Sequence, residues 1–81
     1  MAKFVDVILP AFDDEVNEAE IGRWIVKEGD KITKGTPIVD ILVAKEEHEI
    51  LAEVDGVMVD IQKSDGEIVE AGELLCRIKV D

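Results

Sequence analysis

The chain has few of the residues that stabilise small secreted proteins or anchor proteins in membranes. It contains a single cysteine, Cys76, so no internal disulfide can form. No uninterrupted apolar run approaches the roughly 20 residues that a membrane-spanning helix requires. Aromatic residues are limited to Phe4, Phe12 and Trp24. The pattern excludes a disulfide-linked scaffold and a membrane-spanning helix, and we expect Cys76, which lies in an apolar run, to be buried and structural.

Basic residues are also scarce. Twenty acidic residues stand against nine basic ones, and the formal net charge is −11. Phosphate groups of nucleic acid and anionic lipid surfaces would be repelled by this charge, so neither is expected as a partner. The acidic surface favours solubility, and it is also compatible with docking onto basic patches of another protein.

The residues of common catalytic and metal sites are absent as well. His48 is the only histidine and Ser64 the only serine, and they lie in different predicted elements. His and Cys side chains are too few for a zinc site. Asp13-Asp14-Glu15 lacks the spacing and the glycine of a calcium-binding loop. We therefore expect His48 to be a strand residue and the chain not to be an enzyme.

The apolar residues that are present are mainly Val, Ile and Leu, in short runs bounded by Gly, Pro or Asp. Val and Ile favour strands, and closely spaced short strands predict a β-sandwich or barrel. No window supports a long amphipathic helix. An acidic loop is predicted at 11–17. The predicted strands are Phe4–Leu9, Ile21–Val26, a short segment around Ile32, Ile38–Val43, His48–Val54, Val57–Ile61 and Leu74–Val80.

An internal repeat suggests that the barrel has two similar halves. The segment from Gly29 to Gly35 matches the segment from Gly66 to Gly72, and Ile38 then aligns with Leu75. Each glycine permits a tight turn with positive φ, and the aliphatic residue between two glycines can enter the core. The repeat predicts an approximate two-fold axis, with four short strands in each half.

The segment Ala44-Lys45-Glu46-Glu47 lies where the two halves join. Two-fold symmetry makes the strands on either side antiparallel, so this segment is predicted to form the tip of a β-hairpin. Residues at a hairpin tip are exposed and are held by strands on both sides. Lys45 is therefore placed where a chemical handle would be accessible.

Several motifs now give a specific resemblance. Pro10, the acidic loop, and the string Glu18-x-x-Ile21-x-x-Trp24-x-Val26-Lys27-x-Gly29-Asp30 are followed by Gly35, Pro37 and Ile38, by Lys45 in its hairpin, and by Asp55-Gly56-Val57. Together they resemble the lipoyl domain of the acyltransferase component of 2-oxo acid dehydrogenase complexes, within the biotinyl/lipoyl-attachment family. The resemblance spans essentially the whole chain. It implies a flattened all-β barrel or sandwich of two four-stranded antiparallel sheets with pseudo-two-fold symmetry.

The resemblance also implies a function. Lys45, flanked by Ala44, Glu46 and Glu47, would be the attachment site for lipoic acid, giving a swinging arm that carries acyl groups and reducing equivalents. The implied partners are a lipoate-attaching ligase or transferase, a thiamine-dependent 2-oxo acid decarboxylase, the acyltransferase core and a flavin-dependent dihydrolipoamide dehydrogenase. The family usually has Asp before the lysine, and here Ala44 takes that place.

Two other functions stay open. Biotin carriers share this fold, but they usually place methionine on both sides of the lysine, and Lys45 has Ala44 and Glu46. The chain could also be an unmodified lipoyl-like interaction module. We expect one domain over residues 1–81, monomeric in isolation and part of a larger acyltransferase. We expect it in the cytoplasm, or in the mitochondrial matrix of a eukaryote.

Overall fold

The computed structural model describes residues 3–12 and 17–80, which form eight β-strands. No helix occurs in these ranges, so no helix that could cross a membrane is found there. The all-β prediction is confirmed. The strands are β1 (Lys3–Ile8), β2 (Glu18–Trp24), β3 (Lys31–Ile32), β4 (Pro37–Val43), β5 (Glu46–Leu51), β6 (Gly56–Val59), β7 (Ile68–Glu70) and β8 (Leu74–Val80).

The strands pair into two antiparallel sheets of four. Sheet A has the order β1-β8-β6-β3 and sheet B the order β5-β4-β2-β7. Exchanging β1 with β5, β2 with β6, β3 with β7 and β4 with β8 converts one order into the other. This exchange is a two-fold operation, so the symmetry predicted from the repeat is confirmed.

Main-chain hydrogen bonds repeat the symmetry residue by residue. The Gly29 amide donates to the Met58 carbonyl at 2.8 Å, and the Gly66 amide donates to the Ile21 carbonyl at 2.7 Å. Each bond joins a turn of one half to a strand of the other half. The two halves therefore interlock, and neither can form all of its turn hydrogen bonds alone.

A second pair of glycine turns is equally matched. Gly35 and Gly72 have φ values of 89° and 91°, and their amides donate to the carbonyls of Ala52 and Leu9 at 2.8 Å each. Residues with a β-carbon are strained at such φ values, whereas glycine is not. The turns predicted at these two glycines are confirmed.

The core lies between the two sheets and consists almost wholly of aliphatic side chains. Alternate residues of each strand point inward, so that Ala19 and Ile21 of β2 are buried while Glu18 and Glu20 are exposed. Burial of each large aliphatic side chain stabilises the fold by about 1.5–3 kcal/mol before chain entropy is counted. The largest fully buried side chains are Leu9, Ile21, Ile38, Ile41, Met58, Leu75 and Ile78.

Some strand boundaries differ from those predicted. β2 begins at Glu18 and ends at Trp24, whereas the prediction was Ile21–Val26. Its polar start was missed because Glu18 and Glu20 interrupt the apolar pattern. The last residue of the strand is Trp24, whose indole Nε1–H donates to the Lys63 carbonyl at 2.7 Å in the segment before β7.

The bounds of β5 and β6 also differ from those predicted. β5 begins at Glu46 and not at His48, since the hairpin turn is only two residues long. β6 covers Gly56–Val59, where Val57–Ile61 was expected. Gly56 therefore belongs to a strand and not to a turn. Most of the acidic loop predicted at 11–17, including Asp13-Asp14-Glu15, lies outside the described residues.

Cys76 is fully buried in β8, as predicted. Burial raises the pKa of its thiol to about 12, because the thiolate would lose its hydration in the core. The thiol is therefore protonated at neutral pH. It is not a reactive group of this domain.

Candidate functional site

The hairpin predicted around Lys45 is present, and it is the tightest connection a hairpin allows. β4 ends at Val43 and β5 begins at Glu46, and these two residues face each other across the ladder. Ala44 and Lys45 alone form the turn, with φ values of 50° and 69°. Two consecutive positive φ values are the pattern of a type I′ turn, whose twist matches that of the strands.

This turn is built from unusual residues. Type I′ turns favour Asn-Gly or Asp-Gly, whereas this one has Ala44-Lys45. Each residue with a β-carbon costs about 1–2 kcal/mol in the left-handed region. The paired strands on both sides impose the conformation in spite of this cost. The backbone of Lys45 is therefore fixed, while its side chain extends beyond the strands.

Exposure alone does not distinguish Lys45 from other lysines. Lys27, Lys31, Lys34 and Lys79 are also exposed. The turns of Lys27 and Lys34 are tied down, because the Lys27 amide donates to Asp30 Oδ2 at 2.9 Å and the Lys34 amide to Asp55 Oδ1 at 2.7 Å.

The surroundings of Lys45 are different. Within the described ranges, no hydrogen bond joins the Ala44-Lys45 turn to a segment outside its own hairpin. The Lys45 ammonium also forms no ion pair with a described residue. Lys27 and Lys34 also form no ion pair with a described residue, so Lys45 is distinguished by its place at the tip of a two-residue turn between two paired strands.

The two glutamates after Lys45 point to opposite sides of sheet B. Glu46 lies opposite Val43, and its Oε2 is 3.8 Å from Nε2 of His48. Glu47 lies opposite Leu42 on the outer face of the sheet. Both carboxylates are exposed, so the edge strand β5 carries negative charge immediately after Lys45.

His48 occupies the strand position predicted for it. It lies opposite Ile41 and is partly buried. The ring of Phe12 packs against it at a centroid distance of 5.1 Å. This contact was not predicted, because Phe12 and His48 are far apart in sequence and no pattern links them. It joins the segment after β1 to the hairpin that carries Lys45.

A shallow hollow lies beside Lys45 on the outer face of sheet B. Its floor is apolar and its rim is acidic. Sequence reasoning missed its members because they come from three strands, although the alternation of Glu18 and Glu20 with buried residues was a usable signal. The hollow is lined by Glu18, Ala19, Glu20, Leu42, Lys45 and Ile68.

The described residues do not assemble a metal site. Within residues 3–12 and 17–80 no group of three or more His, Cys, Asp or Glu side chains is placed to hold a metal ion. The residues predicted for the attachment site are consecutive at the hairpin, with Ala44 and Lys45 in the turn and Glu46 and Glu47 at the start of β5, on opposite faces of the sheet. The hairpin presents the Lys45 amine to solvent.

Comparison with known proteins agrees with this geometry. A family model described as "Biotin-requiring enzyme", the biotin–lipoyl family, matches residues 5–78. The chain belongs to the biotin–lipoyl family. The solution structure of the lipoyl domain of the 2-oxoglutarate dehydrogenase complex from Azotobacter vinelandii superposes with a TM-score of 0.77 at 35% identity. The match covers 91% of this chain and 94% of that domain.

Curated relatives of this lipoyl domain are much longer proteins. The succinyltransferase component of the A. vinelandii 2-oxoglutarate dehydrogenase complex is 35% identical over 74 residues, covering 91% of this chain and 18% of the relative. The lipoamide acyltransferase component of the Bacillus subtilis branched-chain alpha-keto acid dehydrogenase complex is 27% identical over 73 residues, covering 90% and 17%. The chain thus spans about a fifth of the length of these relatives. The lipoyl-domain resemblance and the two-sheet fold predicted from sequence are confirmed.

Proposed function

We propose that this lipoyl domain carries lipoic acid in amide linkage on Lys45 and works as a mobile carrier, not as a catalyst. The observation that supports this most is the position of Lys45 in a two-residue turn, exposed and without an ion-pair partner among the described residues. An attaching enzyme needs a projecting amine that it can enclose, and a fixed backbone beneath it lowers the entropic cost of positioning that amine.

The residues present fit the attached group. An amide bond would form between Lys45 Nζ and an activated carboxyl carbon at the ligase, as the activating group leaves and the ammonium gives up two of its three protons. The positive charge at the tip would then be lost, leaving Glu46 and Glu47 as the nearest charges along the chain. The hollow lined by Leu42 and Ile68 leaves free space beside the lysine.

The arm would serve the enzymes of a 2-oxo acid dehydrogenase complex. When attached, the dithiolane supplies reversible carriage of acyl groups and electrons among a thiamine-dependent decarboxylase, an acyltransferase and a flavin-dependent dihydrolipoamide dehydrogenase. The relatives, which are acyltransferase components of such complexes, support this assignment. The barrel provides a rigid base, so that tethering raises the local concentration of the arm at each active site.

Biotin is the competing group, because the matched family includes biotin carriers. The test is the intact mass of the purified chain after incubation with a lipoate–protein ligase or, separately, with a biotin–protein ligase. We expect a single lipoyl adduct in the first reaction and no adduct in the second. A biotin adduct alone would reassign the carrier, and an unchanged mass in both reactions would indicate an unmodified interaction module.

We also propose that the chain works in the cytoplasm, or in the mitochondrial matrix if its source is a eukaryote. The name of one relative, from Arabidopsis thaliana, places that protein in mitochondria, and others are bacterial. Fractionation of source cells with an antibody against the domain tests this. Recovery in the soluble cytoplasmic or matrix fraction is expected, and recovery outside the cell would contradict it.

A further inference from the structure

The outer faces of the two sheets carry rows of opposite charge at symmetry-equivalent positions. The rows follow from the strand register, since residues directly opposite in an antiparallel ladder share a face. On sheet B, the acidic row runs Glu47, Leu42, Glu20, Ile68. On sheet A, the equivalent basic row runs Phe4, Lys79, Val57, Lys31.

The fold therefore does not require acids beside the attachment hairpin. The two-fold exchange places Lys31 where sheet B has Ile68, and Val57 where it has Glu20. Both sheets close the same kind of core with different outward residues. The acidic row is a property of this sequence, and it needs a reason beyond folding.

Each sheet holds an ion pair at equivalent positions, and on sheet B it joins Arg23 and Asp40 at 3.7 Å. On sheet A, Arg77 binds Asp6 at 3.1 Å and approaches Asp60 to 3.7 Å. On sheet B, Glu20 and Glu47 form no ion pair with any residue in the described ranges. The acidic row therefore keeps its charge available to a second molecule.

Two neighbours strengthen this conclusion. Glu18 lies directly opposite Glu70 across the β2–β7 ladder, and like charges in such a pair are destabilising. Ile68, which lies opposite Glu20 in the same ladder, is 56% exposed although it is a large aliphatic residue. Both features cost stability in the free domain, and a partner with cations around an apolar contact would relieve both.

We propose that the acidic row, together with Glu18, is the docking surface for the lipoate-attaching enzyme, which would present basic side chains around an apolar contact for Ile68. This inference rests on the proposed function, because it assumes that Lys45 is the modified residue. Lys45 lines the same hollow as Glu18, Glu20 and Ile68. An enzyme that encloses the amine must therefore cover these residues, whereas sheet A faces away from the core on the other side of the sandwich.

The test uses steady-state kinetics of a purified lipoate–protein ligase with the unmodified chain as substrate. The double variant Glu18→Gln/Glu20→Gln leaves the hairpin untouched, and Ile68→Ala removes the apolar contact. Matched controls are Glu53→Gln, an exposed acid outside the row, and Ile8→Ala, which is 50% exposed on sheet A. Thermal melting of each variant verifies that it is folded.

We expect the double variant to raise KM about five-fold at low salt with little change in kcat, and the wild-type KM to rise toward the variant value as salt screens the attraction. Ile68→Ala should raise KM about three-fold, because about 0.6–0.7 kcal/mol of contact is lost. The controls should stay within about 1.5-fold of wild type, a difference too small for loss of a docking contact.

Two contrary results have different meanings. Normal modification with unchanged KM in the folded double variant and in Ile68→Ala would overturn the docking surface and leave the carrier function standing. Equal KM increases in the variants and the controls would overturn it too, because the effect would not depend on the row. Failure of the wild-type chain to accept lipoate would instead overturn the carrier function.

Discussion

Sheets A and B have equivalent strand arrangements, but the rows on their outer faces carry opposite charges. Their strand orders interchange under the two-fold operation, and their turn hydrogen bonds match in pairs. Both outer faces carry an ion pair at equivalent positions, but only sheet B places the acids Glu18 and Glu20 beside Lys45. The core thus fixes the symmetric frame, while the proposed attachment and docking sites both use residues of sheet B and its hairpin that have no counterpart on sheet A.

The largest loss of stability is expected at a position where the two halves differ in backbone packing. Gly56 on sheet A is the equivalent of Ala19 on sheet B, and a β-carbon at Gly56 would lie 2.3 Å from the Lys79 carbonyl oxygen. Gly56→Ala should therefore lower the free energy of unfolding by about 3 kcal/mol, with urea denaturation as the measurement. Ala19→Gly is the reciprocal control, expected to cost about 1 kcal/mol. Equal losses in both variants would show that the two sites are not sterically different.

Alanine substitution should lower stability equally at the two matched glycine turns. Gly35→Ala and Gly72→Ala each place a β-carbon at φ near 90° in open space, so strain without a clash is expected. Each should cost about 1 kcal/mol and lower the melting temperature by about 5 °C. A clear difference between the two melting temperatures would break the symmetry argument, and unchanged values in both would contradict the φ assignment.

The attachment hairpin should gain stability from a residue suited to its turn. Asn tolerates the left-handed region better than Ala, so Ala44→Asn should raise the free energy of unfolding by about 0.5 kcal/mol. Lys45→Ala is the control, since it removes the amine and keeps the turn strain, and its melting temperature should equal that of wild type. Destabilisation by Ala44→Asn would mean that Ala44 is not held at positive φ.

The smallest effect concerns a capping carboxylate present in one half only. Glu73 is the equivalent of Thr36, and its pKa is lowered because its carboxylate accepts a hydrogen bond from the Glu70 amide and lies near Lys63. A lowered carboxyl pKa stabilises the fold above its unfolded value, and the contribution disappears as pH falls through the folded value.

Glu73→Gln should therefore lower the melting temperature slightly at pH 7, and the difference from wild type should shrink and disappear as acid protonates Glu73 in the folded protein. Melting scans at decreasing pH are the measurement. Glu53→Gln should show no such convergence, because Glu53 lacks these hydrogen bonds among the described residues. A constant difference for Glu73→Gln at all pH values would contradict the assigned interaction.

The turns, the two-fold arrangement and the hairpin tip were predictable from the sequence because they depend on the backbone preferences of nearby residues. Glycines at positions 35 and 72 mark turns by their tolerance of positive φ, and their matched spacing predicted the two-fold frame. The same frame predicted that Ala44 and Lys45 form a hairpin tip. Each of these inferences needed only backbone preferences and the order of apolar residues.

What could not be predicted depends on contacts between distant segments. Gly56 resembled a turn glycine, and its close approach to Lys79 is visible only once β6 and β8 are paired. The acidic row likewise needs the register of four strands. Periodicity indicates which face a residue occupies, but not which residues of other strands lie beside it.

The central claim is that the hairpin, and not exposure, selects the modified lysine. The sequence contains seven lysines, and the most direct test is peptide mapping by mass spectrometry after reaction with a lipoate–protein ligase. We predict a lipoyl group on Lys45 alone, and none on any lysine in the Lys45→Arg variant. Modification of Lys34 or Lys79, or an adduct that persists in Lys45→Arg, would contradict it.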